Sequence, residues 1–198
     1  MPGLSSKLFG DRLFALIVAI LVVGGTSVFF SAALGLLARE GGSIGHIALT
    51  QLALGLVPGL IALALLRFAP PAWIEKAILP LFVLAILATL LVFVPGVGHH
   101  VNGATRWIAI GPFTVQPAEF LKIATILMLS LYLAKMRTKL SDMRYGLLGF
   151  CTIVGVPALL LLAQPNTSTT LVIGFTAAAL YFVAGAPLRD FAILACIA

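Results

Sequence analysis

Apolar runs of about twenty residues recur from one end of this chain to the other, broken by short polar or Gly- and Pro-bearing steps. Hydrocarbon offers no partner for backbone N–H and C=O groups, so a chain that spans it repeatedly must bond those groups within helices or a closed barrel. Runs this long and continuously apolar predict helices, at about 13–37, 47–68, 76–94, 117–134, 146–163 and 169–187, with a seventh starting near Phe191. Composition agrees: 9% of residues are charged and mean hydropathy is +1.19, whereas a soluble domain carries roughly 25% charged residues. The expected fold class is all-α, a polytopic transmembrane bundle of six complete spans plus the start of a seventh. Residues 1–198 are expected to form a single integral-membrane domain.

The first run has no small-residue cleavage site after it and reads as a retained helix, not a signal peptide. Breaks fall at Gly41, Gly42 and Gly45, at Pro70 and Pro71, at Pro95, Gly96 and Gly98, at Pro165 and at Pro187. Pro58 and Pro157 lie inside predicted spans, where they predict kinks. Gly55 and Gly59 form a small-xxx-small pair, a pattern common in membrane helices. Cys151 and Cys196 sit in apolar runs without metal-ligand or CxxC spacing, and read as small buried hydrophobes. His46, His99 and His100 fall in predicted loops and lack converging ligands, so no metal site is expected.

A net charge of +6 invites a nucleic-acid reading, but basic residues gathered in cytoplasmic loops explain it more simply. With the N-terminus inside, Lys7, Arg12, Arg67, Lys76, Lys135, Arg137, Lys139, Arg144 and Arg189 are cytoplasmic. Only Arg39 and Arg106 fall outside, and Lys122 lies within a span. This bias places residues 95–116 in an extracytoplasmic loop and 135–145 at the cytoplasmic surface of the membrane.

Residues 101–122, VNGATRWIAIGPFTVQPAEFLK, combine polar chemistry with membrane depth. Arg106 keeps its charge and can grip phosphate through two N–H groups; Trp107 suits headgroup depth, where it can simply anchor the chain. Pro117 fits a first helical turn, and Glu119 follows where the helix dipole favours an anion. Glu119 and Lys122 are three residues apart and can pair. They either neutralise one another at the top of the helix or serve a polar cavity. A second polar turn, Gln164-Pro165-Asn166-Thr167-Ser168-Thr169, separates the fifth and sixth runs.

Gly103, Arg106, Trp107, Gly111, Pro112, Phe113, Gln116, Pro117, Glu119, Phe120 and Lys122 stand in the order and spacing of the first large outer loop and following helix of the SEDS (shape, elongation, division and sporulation) proteins, the FtsW/RodA type. The chain resembles the N-terminal portion of that family, more the FtsW branch than the RodA branch. Gln164, Pro165 and Thr169 match the family's Gln-Pro-Asp-x-Gly-Thr turn; Asn166 replaces its Asp and Ser168 its Gly. Asn166 keeps a carbonyl for helix capping but lacks the charge.

The resemblance implies polymerisation of lipid II, an undecaprenyl-diphosphate-linked disaccharide-pentapeptide, into glycan strands at the outer face of the bacterial plasma (inner) membrane. An acceptor 4-hydroxyl displaces the diphosphate with inversion, a step that needs a general base and positive charge on the leaving group. The substrate-binding residues so implied are Arg106, Lys122, Glu119, Gln116 and Trp107, with Gln164, Pro165, Asn166 and Thr169 as a structural turn. The family's catalytic aspartate belongs to a later outer loop, beyond Ala198, so no base is nominated and this chain alone is expected to be inactive. No cofactor is evident, although a divalent cation can share the diphosphate charge. The implied partners are a class B penicillin-binding transpeptidase and divisome or elongasome proteins. A flippase of lipid-linked precursor and a non-catalytic scaffold are the alternatives. A flippase requires charge along a continuous path, whereas the polar residues here gather in the outer half.

Overall fold

The computed structural model describes residues 12–40, 55–101, 104–110 and 113–197. The chain divides into two compact units, residues 1–69 and 70–198. In the first, α1 (Arg12–Glu40) and α2 (Val57–Phe68) are described. Residues 55 and 56 form a π-helical turn that runs directly into α2, with Leu56 in the right-handed helical region, so Pro58 stands beside an irregularity in a continuing helix, where a kink is expected. Gly55 is described only as helical backbone, and a Cβ at Gly59 would meet nothing within 4 Å. Residues 41–54, which carry His46 and part of the predicted second span, lie outside the described residues.

The second unit is an antiparallel arrangement of α3 (Pro71–Leu91), α4 (Pro117–Lys135), α5 (Leu147–Ala163), α6 (Thr167–Val183) and α7 (Leu188–Ile197). Its third helix of the chain starts at Pro71, five residues before the predicted start, because Pro71 with Pro70 before it opens a helix more readily than it breaks one. Pro157 lies inside α5 as expected, and Pro80 lies inside α3.

α4 is the central helix. Ala118, Leu121, Ala124, Leu129 and Leu133, with Thr125 beside Ala124, form its buried stripe, and the apolar members share one core with Phe82 and Ala85 of α3, Phe150, Ile153 and Leu161 of α5, and Ile173, Ala177 and Tyr181 of α6. Several of these are alanines, which let helices approach closely. The opposite face of α4 carries exposed Phe120, Ile123 and Leu127. α3 and α4 are long and apolar enough to cross a membrane, yet only 22% and 39% of their most apolar windows are buried. Helices apolar on the outside as well as the inside belong in lipid and not in water. Hydroxyls conform: Ser27, Thr89, Thr125, Ser130 and Thr152 each donate to the carbonyl four residues earlier, which satisfies them within their own helix.

The fold is mostly helical, as expected, with one small sheet added to it. Where the sequence suggests only a loop, β1 (Gly98–Val101), β2 (Ala104–Ile110) and β3 (Phe113–Val115) pair in that order as an antiparallel sheet. β2 packs against α4, so the sheet covers the end of the bundle where α3 stops and α4 begins.

At the opposite end the helices approach closely at Gly149. A Cβ there would lie 2.1 Å from the Tyr132 hydroxyl oxygen and 2.5–2.6 Å from its ring carbons, while that hydroxyl donates to the Tyr145 carbonyl at 2.8 Å. Gly149→Val is therefore expected to displace Tyr132 and destabilise the bundle by about 1–3 kcal/mol through overpacking. Thermal unfolding in detergent checks this, and an unchanged midpoint would show that α4 and α5 have slack at this point.

Candidate functional site

Arg106 occupies a particular place in the sheet. The β1–β2 register pairs His99 with Trp107 and His100 with Thr105, so Arg106 is the extra residue of a β-bulge. Bulges turn a side chain out of the regular alternation and gather next to functional sites. Here the half-buried guanidinium reaches the turn between α5 and α6: its Nε donates to the Gln164 carbonyl at 3.3 Å and its Nη2 to the Pro165 carbonyl. Two of its five donors are used on those carbonyls.

Gln164 continues the chain of contacts. Its side chain is 2% exposed, and its Nε2 donates to the Thr89 carbonyl at 2.9 Å, near the end of α3. One guanidinium and one buried amide thus join the sheet, the α5–α6 turn and the end of α3. Between these elements lies a cavity of about 400 Å³, with Val92, Pro95 and Gly98 along one wall, Thr105 on the sheet and Gln164 and Pro165 on the turn. Gly98 is required there, because a Cβ would lie 2.2 Å from the Val92 carbonyl oxygen.

The second polar group stands on α4. Pro117 opens the helix, Glu119 follows in its first turn, and Lys122 Nζ meets Glu119 Oε2 at 2.9 Å. Glu119 is exposed and Lys122 is mostly covered. Gln116 takes the N-cap position with extended backbone but makes no side-chain cap bond. Trp107 is half-buried in β2. Among the described residues no hydrogen bond or ion pair joins Arg106 to Glu119 or Lys122. The expected residues therefore form two groups at the same end of the bundle.

At the α5–α6 turn, Asn166 takes the N-cap position of α6, yet its side chain makes no cap bond, which corrects the capping role expected for it. Its backbone carbonyl does the work, accepting from the N–H and hydroxyl of Thr170. The Asn166 amide nitrogen is buried without a partner among the described residues. Thr169 is buried in the first turn of α6. Gly103, Gly111 and Pro112 lie outside the described residues.

One buried polar cluster escaped the sequence reading. Asp190, fully buried in α7, accepts from the Tyr181 hydroxyl at 2.6 Å and from Arg189 Nε at 3.2 Å, and Tyr181 stacks on Phe150. An acid inside an apolar run is a readable signal, but Asp190 follows Arg189 in sequence and passes for part of a loop.

Residues 11–198 match the family model described as cell cycle protein, FtsW/RodA/SpoVE. The chain belongs to that family. Among its curated FtsW relatives, each described as a "Probable peptidoglycan glycosyltransferase FtsW", that of Allochromatium vinosum is 39% identical over 144 residues, covering 72% of this chain and 35% of the relative. The one from Halorhodospira halophila is 33% identical over 193 residues, covering 98% and 49%. Solved structures agree. An aspartate-to-alanine mutant of the Thermus thermophilus rod shape determining protein RodA superposes with a TM-score of 0.65 at 25% identity, over 88% of this chain and 56% of that one. A chain from a peptidoglycan synthase complex, solved to explain how polymerization and crosslinking are coordinated, gives 0.64 at 26%, over 85% and 49%. The chain spans between about a third and a half of the length of these curated FtsW relatives. Family membership and the apolar outer faces of α3 and α4 make this a helical membrane protein of the FtsW/RodA/SpoVE type.

Proposed function

We propose that this chain forms part of a peptidoglycan glycosyltransferase that polymerises lipid II during bacterial cell division. The observation that carries the reading is the family match over residues 11–198, joined by relatives that bear the FtsW name. The sheet end then faces outward, with residues 95–116 extracytoplasmic, 135–145 cytoplasmic and the N-terminus inside. The distribution of basic residues supports that orientation.

In this reading Arg106 presents its remaining donors to the substrate diphosphate, while its bonds to the 164 and 165 carbonyls fix the fork in place. Lys122 supplies a second positive charge, held by Glu119, and Gln116 and Trp107 flank the site. Positive charge aimed at a departing diphosphate lowers the barrier to its release. The base that takes the acceptor hydroxyl proton lies outside these residues. A divalent cation, where one takes part, arrives with the diphosphate. A class B penicillin-binding transpeptidase fits as partner, by analogy with the synthase complex that couples polymerization to crosslinking.

Two experiments test the reading. Depleting the gene product should give filaments that elongate without dividing; cells that round up would move the chain to the rod-shape branch, and unaltered growth and division would overturn the function. For orientation, Val97→Cys should react with an impermeant thiol reagent in intact cells and Ser141→Cys only after permeabilisation. The reverse pattern would invert the topology.

A further inference from the structure

At the end of the bundle away from the sheet, α4 and α6 part to leave a slot of about 290 Å³. Leu133 and Ala134 line it from α4, and Leu180 and Val183 from α6. Two polar residues also reach it. Ser130 spends its hydroxyl on its own helix, donating to the Ile126 carbonyl at 2.8 Å. Arg137, in the short 3₁₀ turn Arg137–Lys139 that follows α4, is exposed and in no ion pair among the described residues. The slot is thus apolar along its length and cationic at its loop end. Among the described residues it opens on an apolar surface, since Val183 is 83% exposed and Phe182 beside it is 60% exposed.

The surroundings add charge of the same sign. Within the loop 135–145, Lys135, Arg137, Lys139 and Arg144 are all exposed and Asp142 is the one acid, its carboxylate accepting the Arg144 backbone N–H at 2.9 Å, while buried Asp190 beside the loop is paired with Arg189. A water-soluble anion would find charge here but gain nothing from the apolar walls, and a neutral lipid would fill the slot but leave Arg137 without a counter-charge. An acyl chain that carries a phosphate satisfies both, and basic pockets between helices on the cytoplasmic side are a known arrangement for acidic lipid headgroups. We propose that this slot binds one anionic phospholipid of the inner leaflet, with an acyl chain along Leu133, Leu180 and Val183 and the phosphate on Arg137. The proposal rests on the inward orientation of residues 135–145 and is independent of glycosyltransferase activity.

Native mass spectrometry of the full gene product in detergent tests it, with phosphatidylglycerol and phosphatidylcholine of identical acyl chains as probes. The protein should retain phosphatidylglycerol over phosphatidylcholine by about fivefold, equivalent to the ~1 kcal/mol that one basic residue contributes at an anionic surface. Arg137→Gln should bring that ratio close to one, and Lys139→Gln should leave it nearly intact. Val183→Trp, a change at an exposed position that fills the slot, should reduce retention of both lipids. Inorganic phosphate at millimolar concentration should not displace the bound lipid. A preference unchanged in Arg137→Gln, lost equally in Lys139→Gln, or abolished by free phosphate would overturn the proposal in favour of diffuse or headgroup-only attraction. Cysteine labelling at position 141 reads the orientation separately, so a failure of topology is distinguishable from a failure of the slot.

Discussion

Arg106→Ala in the full product of this gene is expected to lower glycan polymerisation from lipid II at least tenfold. A hydrogen bond to a charged group contributes about 1.5–3 kcal/mol, roughly 10- to 150-fold in rate or affinity. The side chain is placed for such a contact by the bulge that makes Arg106 the unpaired residue of β2, and by its bonds to the Gln164 and Pro165 carbonyls. Arg106→Lys keeps the charge but not the planar fork, so it should recover activity only in part. The kinetic pattern separates two roles. A residue that grips diphosphate in the ground state raises KM when removed, whereas one that acts only as the charge develops lowers kcat. Full activity of Arg106→Ala at normal membrane abundance would reduce Arg106 to a tie between the sheet and the α5–α6 turn.

The second large effect is on stability. Asp190→Ala removes the acceptor of a hydroxyl that is itself fully buried, because Tyr181 shows no exposed surface and donates to Asp190 at 2.6 Å. An unsatisfied buried donor costs about 1–3 kcal/mol, and the lost side chain leaves space beneath α7. The damage should spread to the loop between α4 and α5. Tyr181's hydroxyl would lie 2.8 Å from a Cβ at Gly146, and Arg189 donates to the Ser141 carbonyl at 3.5 Å. Asp190→Asn retains an acceptor and should cost less. Asp190→Leu combined with Tyr181→Phe removes both polar partners and should be more stable than Asp190→Leu alone, since what is costly is the orphaned group and not the absence of the pair. Thermal unfolding in detergent measures this series. A wild-type midpoint for Asp190→Ala, or a double mutant no better than the single, would mean that the pair is not holding this end together.

Much of this architecture was legible in the sequence because hydrocarbon leaves a chain few options. Helix ends fall near Pro70, Pro165 and Pro187 as the breakers predict, and α4 starts at Pro117. The sheet was legible too, but went unread. Asn102-Gly103 between β-branched and aromatic residues is a hairpin signal, hidden by the assumption that a connection between membrane helices is a loop. The Glu119–Lys122 pair follows from helical spacing alone. Arg106 bonding to residues 164 and 165 does not, because it joins positions 58 and 59 apart through tertiary packing. The same is true of Gln164 reaching Thr89 across 75 residues. Local pattern locates polar residues at the right end of the bundle; only the packed helices decide which of them meet.

We propose that the sheet end of this bundle serves a polymerase and not a transporter. The full product of this gene, in sealed liposomes with labelled lipid II, measures both outcomes at once. Polymerisation predicts glycan strands that lengthen with time and release undecaprenyl diphosphate, with strand yield falling at least tenfold in Arg106→Ala. Lipid II that crosses the bilayer while no strands form, in wild type and variant alike, would make this protein a transporter instead.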